Sequence, residues 1–405
     1  MTTCRFCSAP LSQTFADLGM VPLSNAYVHR DRLLEPEPFY PLVAQVCGRC
    51  LLVQVPSLVS REHIFSEYVY FSSYSDEWLD HARAYAAAII ARLGLGRSSQ
   101  VVEIASNDGY LLQYFAEAGI PALGIEPAAN VGALARKKGI ETWTKFFGIE
   151  TASEIAGRAD LLIANNVLAH VPDLNDFVAG LGIALAPGGT LTIEFPHLMQ
   201  IMRHVQFDTI YHEHFSYLSL VTVRELLAAH GLAVVDVEEI GTHGGSLRVY
   251  ARHADAAGGI EASVQRVLDE ERDSGLHELA GYRDFERRVR ACKRALLRFL
   301  IAADEEGKTV AGYGAPAKAS TLLNYCGART DLIDYTVDRS PHKQGLYLPG
   351  VRVPIFAPEK IAETRPDFLL LFAWNLRDEI MGQMAHVREW GCRFVIPVPE
   401  VEIVS

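Results

Sequence analysis

Residues 101–109, Val-Val-Glu-Ile-Ala-Ser-Asn-Asp-Gly, constrain this chain more than any other stretch. Residues 101–105 read as a short buried strand, apolar apart from Glu103. Ser106, Asn107, Asp108 and Gly109 suit a tight turn, and residues 110–115 read as the start of a helix. A strand, a turn of small residues and a helix N-terminus together make a pocket for an anionic or hydrogen-bonding cofactor. About 17 residues beyond Gly109 a second strand ends in Glu126-Pro127, and an acid there can accept hydrogen bonds from ribose hydroxyls. Ala105 and Asn107 stand where a dinucleotide fingerprint would carry glycines, so the loop disfavours close passage of a pyrophosphate. Glu103 points the same way, because a carboxylate repels phosphate and suits an ammonium group. S-adenosylmethionine has an amino group, a sulfonium and no phosphate. An ordinary strand-turn-helix with a stray acid is the competing reading.

The surrounding chain has 405 residues, room for two or three domains. With 49% hydrophobic and 21% charged residues it is globular. A net charge of -12 argues against gripping nucleic acid, which needs clustered Lys and Arg. Neither a signal peptide nor an apolar stretch of membrane-spanning length is visible, so a cytoplasmic protein without membrane contact is expected. Four of the seven cysteines fall in two C-x-x-C pairs, Cys4/Cys7 and Cys47/Cys50. Four thiolates complete a tetrahedral zinc site with no open position, hence a structural one. Two independent buried or redox-active pairs are the alternative. The segment between the pairs is short and turn-rich, so the metal is expected to substitute for a large core.

From residue 100 to about 252 strand and helix patterns alternate, with strands expected at 101–105, 122–126, 160–164 and 190–195. Helices are expected at 109–118, 129–138 and 174–185. This is a doubly wound α/β unit with a mostly parallel sheet, whose ligands lie at the carboxyl ends of the strands. Asn165 and Asn166 follow the third strand and join the loop and Glu126 at one site, unless they only cap the turn; His170 follows closely. Phe146 and Phe147 offer apolar surface for an adenine. The aromatic run holding Tyr68 and Tyr70 is either core or a lid that turns a phenol toward the chemistry.

A tight turn is expected at 186–189, and simple alternation stops after 195. If residues 208–217 are extended, Tyr211, Glu213 and Phe215 share one side and His212 and His214 the other. Acid/base chemistry is the favoured use of this run, ahead of a polar loop or a two-histidine metal site. His243, Gly244 and Arg248 lie in or beside a glycine-rich link between antiparallel strands 232–240 and 246–252, a plain hairpin or a close approach to an anionic substrate. Residues 260–305 are helical with a solvated charged face. A third unit follows, with strands at 309–311, 332–337, 368–372 and 394–396 and a Gly312-Tyr313-Gly314 loop. Lys318, with Asn375 and Arg377 at another strand end, could hold a phosphate or diphosphate. Domain limits are expected at 1–67 (zinc module), 68–254 (cofactor and catalytic domain), 255–305 (helical connector) and 306–405 (second Rossmann-like domain).

Taken together the motifs resemble the zinc-containing, S-adenosylmethionine-dependent sugar C-methyltransferases of deoxysugar biosynthesis. The resemblance rests on Cys4/Cys7 with Cys47/Cys50, on Glu103 through Gly109, on Tyr211-His212-Glu213-His214-Phe215-Ser216-Tyr217, on Gly244 through Arg248 and on Gly312 through Lys318. Ala105, where methyltransferases often have glycine, is a departure. The resemblance implies an N-terminal zinc-binding module, a central Rossmann-like class I methyltransferase domain and a C-terminal Rossmann-like domain that binds substrate. It implies a nucleoside-diphosphate keto-deoxysugar as substrate, most often dTDP-linked, methylated at C3 beside a 4-ketone, with S-adenosylhomocysteine as product. His214 would be the base, and Glu213 and Tyr211 would position the sugar and stabilise the enolate. His170 is a second polar candidate, Tyr68 or Tyr70 would close over the site, and Tyr217 would line the substrate side. Three competing functions are an NAD(P)-dependent nucleotide-sugar epimerase or reductase using the Gly312–Gly314 loop, a zinc adaptor without catalysis, and an RNA methyltransferase. The first is disfavoured because no acid is evident after that loop's next strand, the second by the Tyr211–Tyr217 run, and the third by the acidic balance. A monomer and a homodimer are both compatible with the sequence.

Overall fold

The computed structural model describes residues 2–60, 72–74 and 76–405. The run holding Tyr68 and Tyr70, and with it the expected boundary at 67, lies outside the described residues. The chain opens with strands β1 (Gln13–Val21), β2 (Tyr40–Val46) and β3 (Val53–Gln54), paired antiparallel in turn. These alternate buried and exposed positions, as a half-covered antiparallel sheet requires. The segment between the cysteine pairs is therefore more ordered than its turn-rich composition suggested. Its apolar face joins a core that also takes in residues of the C-terminal unit.

The central sheet carries the cofactor loop. Its first five strands are β4 (Val101–Ile104), β5 (Ala122–Ile125), β6 (Glu141–Trp143), β7 (Ala159–Ile163) and β8 (Leu185–Pro196). Strand β9 (Ser216–Tyr217) leaves this unit and pairs with β3, giving the N-terminal sheet the order β1-β2-β3-β9. Strands β10 (Leu232–Ile240) and β11 (Ser246–His253) form the expected antiparallel pair. The seven-stranded order is β10-β11-β8-β7-β4-β5-β6, parallel from β8 to β6. The expected turn at 186–189 falls within β8, as an irregularity between the pairs Ala159↔Leu185 and Leu161↔Thr190.

Two helices, Ala262–Asp273 and Phe285–Glu305, lead to the C-terminal unit. Most of their charges face water, but Glu271 is fully buried. Its carboxylate accepts from the Leu220 and Val221 amides at the start of the helix Leu220–Ala228 and meets His197 Nε2 at 2.7 Å. Buried carboxylates persist where such partners replace water. The last sheet comprises β12 (Val310–Tyr313), β13 (Tyr335–Val337), β14 (Ile355–Phe356), β15 (Phe368–Leu371), β16 (Arg393–Ile396) and β17 (Glu402–Val404). Its order, β14-β13-β12-β15-β16-β17, is the doubly wound arrangement, parallel except for β17.

Hydrophobic packing crosses the expected domain limits. One hydrophobic core joins β1 and β2, residues 198–217, the helix Phe285–Glu305 and the whole C-terminal sheet. A second core runs from the cysteine knuckles through the central sheet. Among the described residues no helix is long and apolar enough to cross a membrane.

Candidate active site

The loop after β4 turns as its composition demands, with Gly109 at φ +77. Ala105 (φ +55) and Asn107 (φ +50) also enter the left-handed region, so the loop reaches its tight geometry without glycine at those two positions. Glu126, at the end of β5, accepts from the Asn107 amide at 2.9 Å and the Ala128 amide at 2.8 Å. Glu103 is buried beside Glu126, Asp108 and Glu194. Burial and these like charges hold its carboxyl well above the usual range.

Among the described residues several buried polar atoms here have no hydrogen-bond partner: Glu103 Oε2, Ser106 Oγ, Asp108 Oδ1, Asn165 Oδ1 and Asn166 Nδ2. Orphaned groups of this kind cost about 1–3 kcal/mol each unless a ligand meets them. The set is rich in carboxylate and amide oxygens, and the cation beside it, Lys138, lies 3.6 Å from Asp108 Oδ2. The set fits a ligand with an ammonium group, a cationic centre and hydroxyls, which S-adenosylmethionine is. Phe147 differs from its expected role: it is buried against Phe177, ring centres 5.3 Å apart, and belongs to the core, while Phe146 stays half-buried. Pro127 is half-buried beside Glu126.

The Tyr-His-Glu-His run is a turn, not an extended strand. The His214 amide donates to the Tyr211 carbonyl at 3.0 Å, which brings Tyr211 and His214 to one side. His212 turns away, to the Pro41 carbonyl and the Tyr40 ring, so the two histidines form no metal pair. His214 Nδ1 lies 2.9 Å from the Thr209 carbonyl, which can only accept. Nδ1 therefore carries the proton and Nε2 the lone pair, met by the Tyr211 hydroxyl at 2.7 Å. Burial, with His170, His243 and Lys318 nearby, holds the ring well below the usual histidine range. The His170 ring stands 4.7 Å from that of His214, and burial lowers its pKa to about 4. Tyr217 is buried, 6.3 Å from His214 ring to ring. The same turn points Glu213 at Asn25, whose Nδ2 lies 2.8 and 2.9 Å from its two oxygens. Burial raises the Glu213 carboxyl to about 7.

The C-terminal unit closes the other side. Lys318 Nζ donates to Asn375 Oδ1 at 3.0 Å and lies 4.2 Å over the Trp374 ring. Trp374 Nε1 donates to the buried Asp208 at 2.6 Å, and burial raises that carboxyl to about 6. Sequence reasoning did not pair Asp208 with Trp374, because the two lie 166 positions apart. His243 sits at φ +56 against Trp78, ring centres 5.2 Å apart, and burial lowers it to about 4.

Two expected substrate contacts, Arg248 and Arg377, are paired with acids of the protein, and Gly244 packs against Trp374. Arg248 places its guanidinium on Glu194 and Glu238, at 2.6 to 2.8 Å, and over Tyr85, so its charge is already matched inside the protein. Arg377 is exposed and paired with Glu402 at 3.1 Å. Gly244 is glycine because a Cβ there would come within 2.8 Å of Trp374. An acid does follow the strand after the Gly312–Gly314 loop. It is Asp338, directly after β13, and its carboxylate is taken by the Ala315 and Ser340 amides and by Lys343.

The cysteine knuckles share one turn. The Ser8 amide bonds the Cys4 carbonyl and the Leu51 amide the Cys47 carbonyl, with Ser8 and Leu51 both left-handed. All four sulfurs lie within 4.8 Å of one another, Cys4–Cys50 and Cys7–Cys47 at 3.5 Å. Bonds of about 2.3 Å to a central zinc place tetrahedral sulfurs roughly 3.8 Å apart, so the cluster fits the ion. Gln54 Nε2 donates to Cys4 at 3.2 Å, an outer contact of the sort such sites use.

Residues 4–65 match a zinc binding domain, 78–237 a methyltransferase domain and 241–399 a C-methyltransferase C-terminal domain. The chain is 38% identical over 408 residues to the C-methyltransferase NovU of Streptomyces niveus, covering 99% of this chain and 96% of that protein. It is 32% identical over 95 residues to the ubiquinone biosynthesis O-methyltransferase of Bordetella avium (strain 197N), 22% of this chain and 39% of that protein. The solved 1,6-didemethyltoxoflavin-N1-methyltransferase of Burkholderia thailandensis superposes with TM-score 0.39 at 22% identity, over 50% of this chain and 95% of that one.

Proposed function

This chain belongs to the zinc-containing, S-adenosylmethionine-dependent C-methyltransferase family, and we propose that its acceptor is the carbon beside a ketone in a nucleoside-diphosphate deoxysugar. The favoured acceptor is C3 next to a 4-ketone, with dTDP as carrier. The observation that carries the reading is the protonation pattern of His214. Its Nδ1–H is committed to the Thr209 carbonyl, so Nε2 is a neutral proton acceptor.

Bound S-adenosylmethionine supplies an electrophilic methyl on a sulfonium centre. Glu103 and Asp108 would hold its ammonium end, Glu126 its ribose, and Asn165 and Asn166 its remaining polar edge. His214 Nε2 takes the proton from the carbon next to the ketone, and the C–H electron pair becomes the enolate. The Tyr211 hydroxyl, which rests on Nε2, is within reach of the oxygen where negative charge collects. Glu213 holds a sugar hydroxyl, and Lys318 with Asn375 meets the diphosphate. Attack of the enolate carbon on that methyl would form the new C–C bond as the S–CH3 bond breaks, its electron pair going to sulfur in S-adenosylhomocysteine; the ketone is restored, and the proton on His214 passes to solvent after product leaves.

The test is product mass spectrometry. The protein is incubated with S-adenosylmethionine labelled at its methyl and a panel of nucleotide sugars with and without a ketone. One labelled methyl on a ring carbon of a keto sugar is the expected result. Labelling on oxygen or nitrogen, or equal transfer to sugars lacking the ketone, would refute the enolate mechanism.

A further inference from the structure

The N-terminal module reaches farther than its metal. After β1 the chain runs as a strap over the C-terminal unit. Val28 and Tyr347 exchange both backbone hydrogen bonds at 2.9 Å, and Glu37 accepts from the Gly350 amide and Arg352. Ser24 is buried against Thr321. Between these anchors the strap presents Asn25 and Tyr27 to the turn that holds His214. The Tyr27 hydroxyl donates to the Ala315 carbonyl at 2.6 Å and lies 3.4 Å from Asn25 Oδ1. With its oxygen on that side, Asn25 turns its amide nitrogen to both oxygens of Glu213.

We propose that Asn25, delivered by the zinc-binding module, is a positioning residue for Glu213, so that the module completes the active site. The proposal rests on the reading that Glu213 meets the substrate. Glu213 is 5% exposed, and among the described residues Asn25 is the only side chain hydrogen-bonded to its carboxylate. A carboxylate so buried keeps its charge and its rotamer only while a donor holds it. An amide suits the task, because it donates without ever carrying charge of its own. The titratable groups around Glu213 are few. Tyr27 faces it from the strap with Lys343 behind, and His170 bonds the Glu213 backbone from the other side. Burial and the Asn25 hydrogen bond act on the Glu213 carboxyl in opposite directions.

The experiment compares Asn25→Ala, Asn25→Asp and Glu213→Gln with the wild type in the full chain. It reads pH profiles of kcat and kcat/KM, cofactor affinity and thermal unfolding. Asn25→Asp fills the same space and guards against a mere packing defect; it removes the amide donor and adds a like charge, and both push the Glu213 limb to higher pH. Loss of the donor should move the Glu213 limb of kcat/KM to higher pH by on the order of one unit, with cofactor affinity unchanged. Glu213→Gln should lose that limb altogether. Wild-type turnover in Glu213→Gln would refute the underlying reading of the site. An impaired Glu213→Gln beside Asn25 variants with the wild-type limb, or with a loss equal at every pH that tracks a lowered melting temperature, would overturn the role of Asn25 and leave that reading standing.

Discussion

Ala105 and His214 show how far a single residue can be read in advance. Ala105 was recognisable as a departure from glycine, yet the loop still folds at φ +55 there, a strain of about 1–2 kcal/mol for a residue with a Cβ. The resemblance offers His214 as the candidate base, but its tautomer was not legible, because it depends on the Thr209 carbonyl five positions away and on a turn the alternating pattern hid. With Nε2 unprotonated at rest, His214→Ala should lower kcat by about 10²- to 10⁴-fold while cofactor affinity holds, measured by single-turnover kinetics and calorimetry. The pH sign follows from the lowered pKa. The base form is fully present above the folded value and is lost only as pH falls through it. That value lies well below 6.5, so His214 itself should add no limb to the wild-type profile between pH 6.5 and 8. A limb in that window that vanishes in His214→Gln but persists in Glu213→Gln would contradict the assignment. Asn25 was not legible at all, because nothing local ties it to a carboxylate 188 positions away.

Among elements, those with a strong apolar core were legible and those defined by partners were not. Strands β4, β5 and β7 are short apolar runs with turn residues behind them, and the sequence marks them plainly. Strand β6 is three residues, Glu-Thr-Trp, at the edge of the sheet, where pairing with β5 substitutes for composition. Strand β9 is two residues long and is a strand only because β3 lies beside it. The Gly312–Gly314 loop resembles a nucleotide fingerprint, but packing accounts for its first glycine. A Cβ on Gly312 would stand 2.4 Å from Phe372 and 2.8 Å from Thr336. Gly312→Ala should therefore destabilise the C-terminal unit by about 1–3 kcal/mol, the ordinary cost of overpacking. Denaturant titration checks this. A stability within error of the wild type, with lost affinity for a free nucleotide, would instead make the glycine a ligand contact.

On the scale of the whole molecule, three units with separate signatures behave as one body around the site. The zinc knuckles end the same hairpin whose far side feeds the Asn25 strap, and β9 knits that hairpin's sheet to the catalytic turn. The four thiolates bring no side-chain contact to the chemistry, so their effect must travel through this framework. The four-cysteine site is assembled only when the module folds, so zinc binding contributes directly to folding, and a chain without it loses the closure of both knuckles. Removing the metal by thiol modification and chelation should release one zinc per chain by elemental analysis. It should lower the melting temperature and abolish methyl transfer. The order of loss distinguishes a framework from an appendage. Because one apolar core spans β1, residues 198–217 and the C-terminal sheet, the metal-free protein should lose hydrogen-exchange protection in β9 and in the Tyr211–His214 turn as well as in the knuckles. Protection should persist in the helix Leu112–Glu117, whose buried residues lie in a third core that holds no knuckle residue. Opening confined to the knuckles, with methyl transfer intact, would show that the module merely rides on the enzyme.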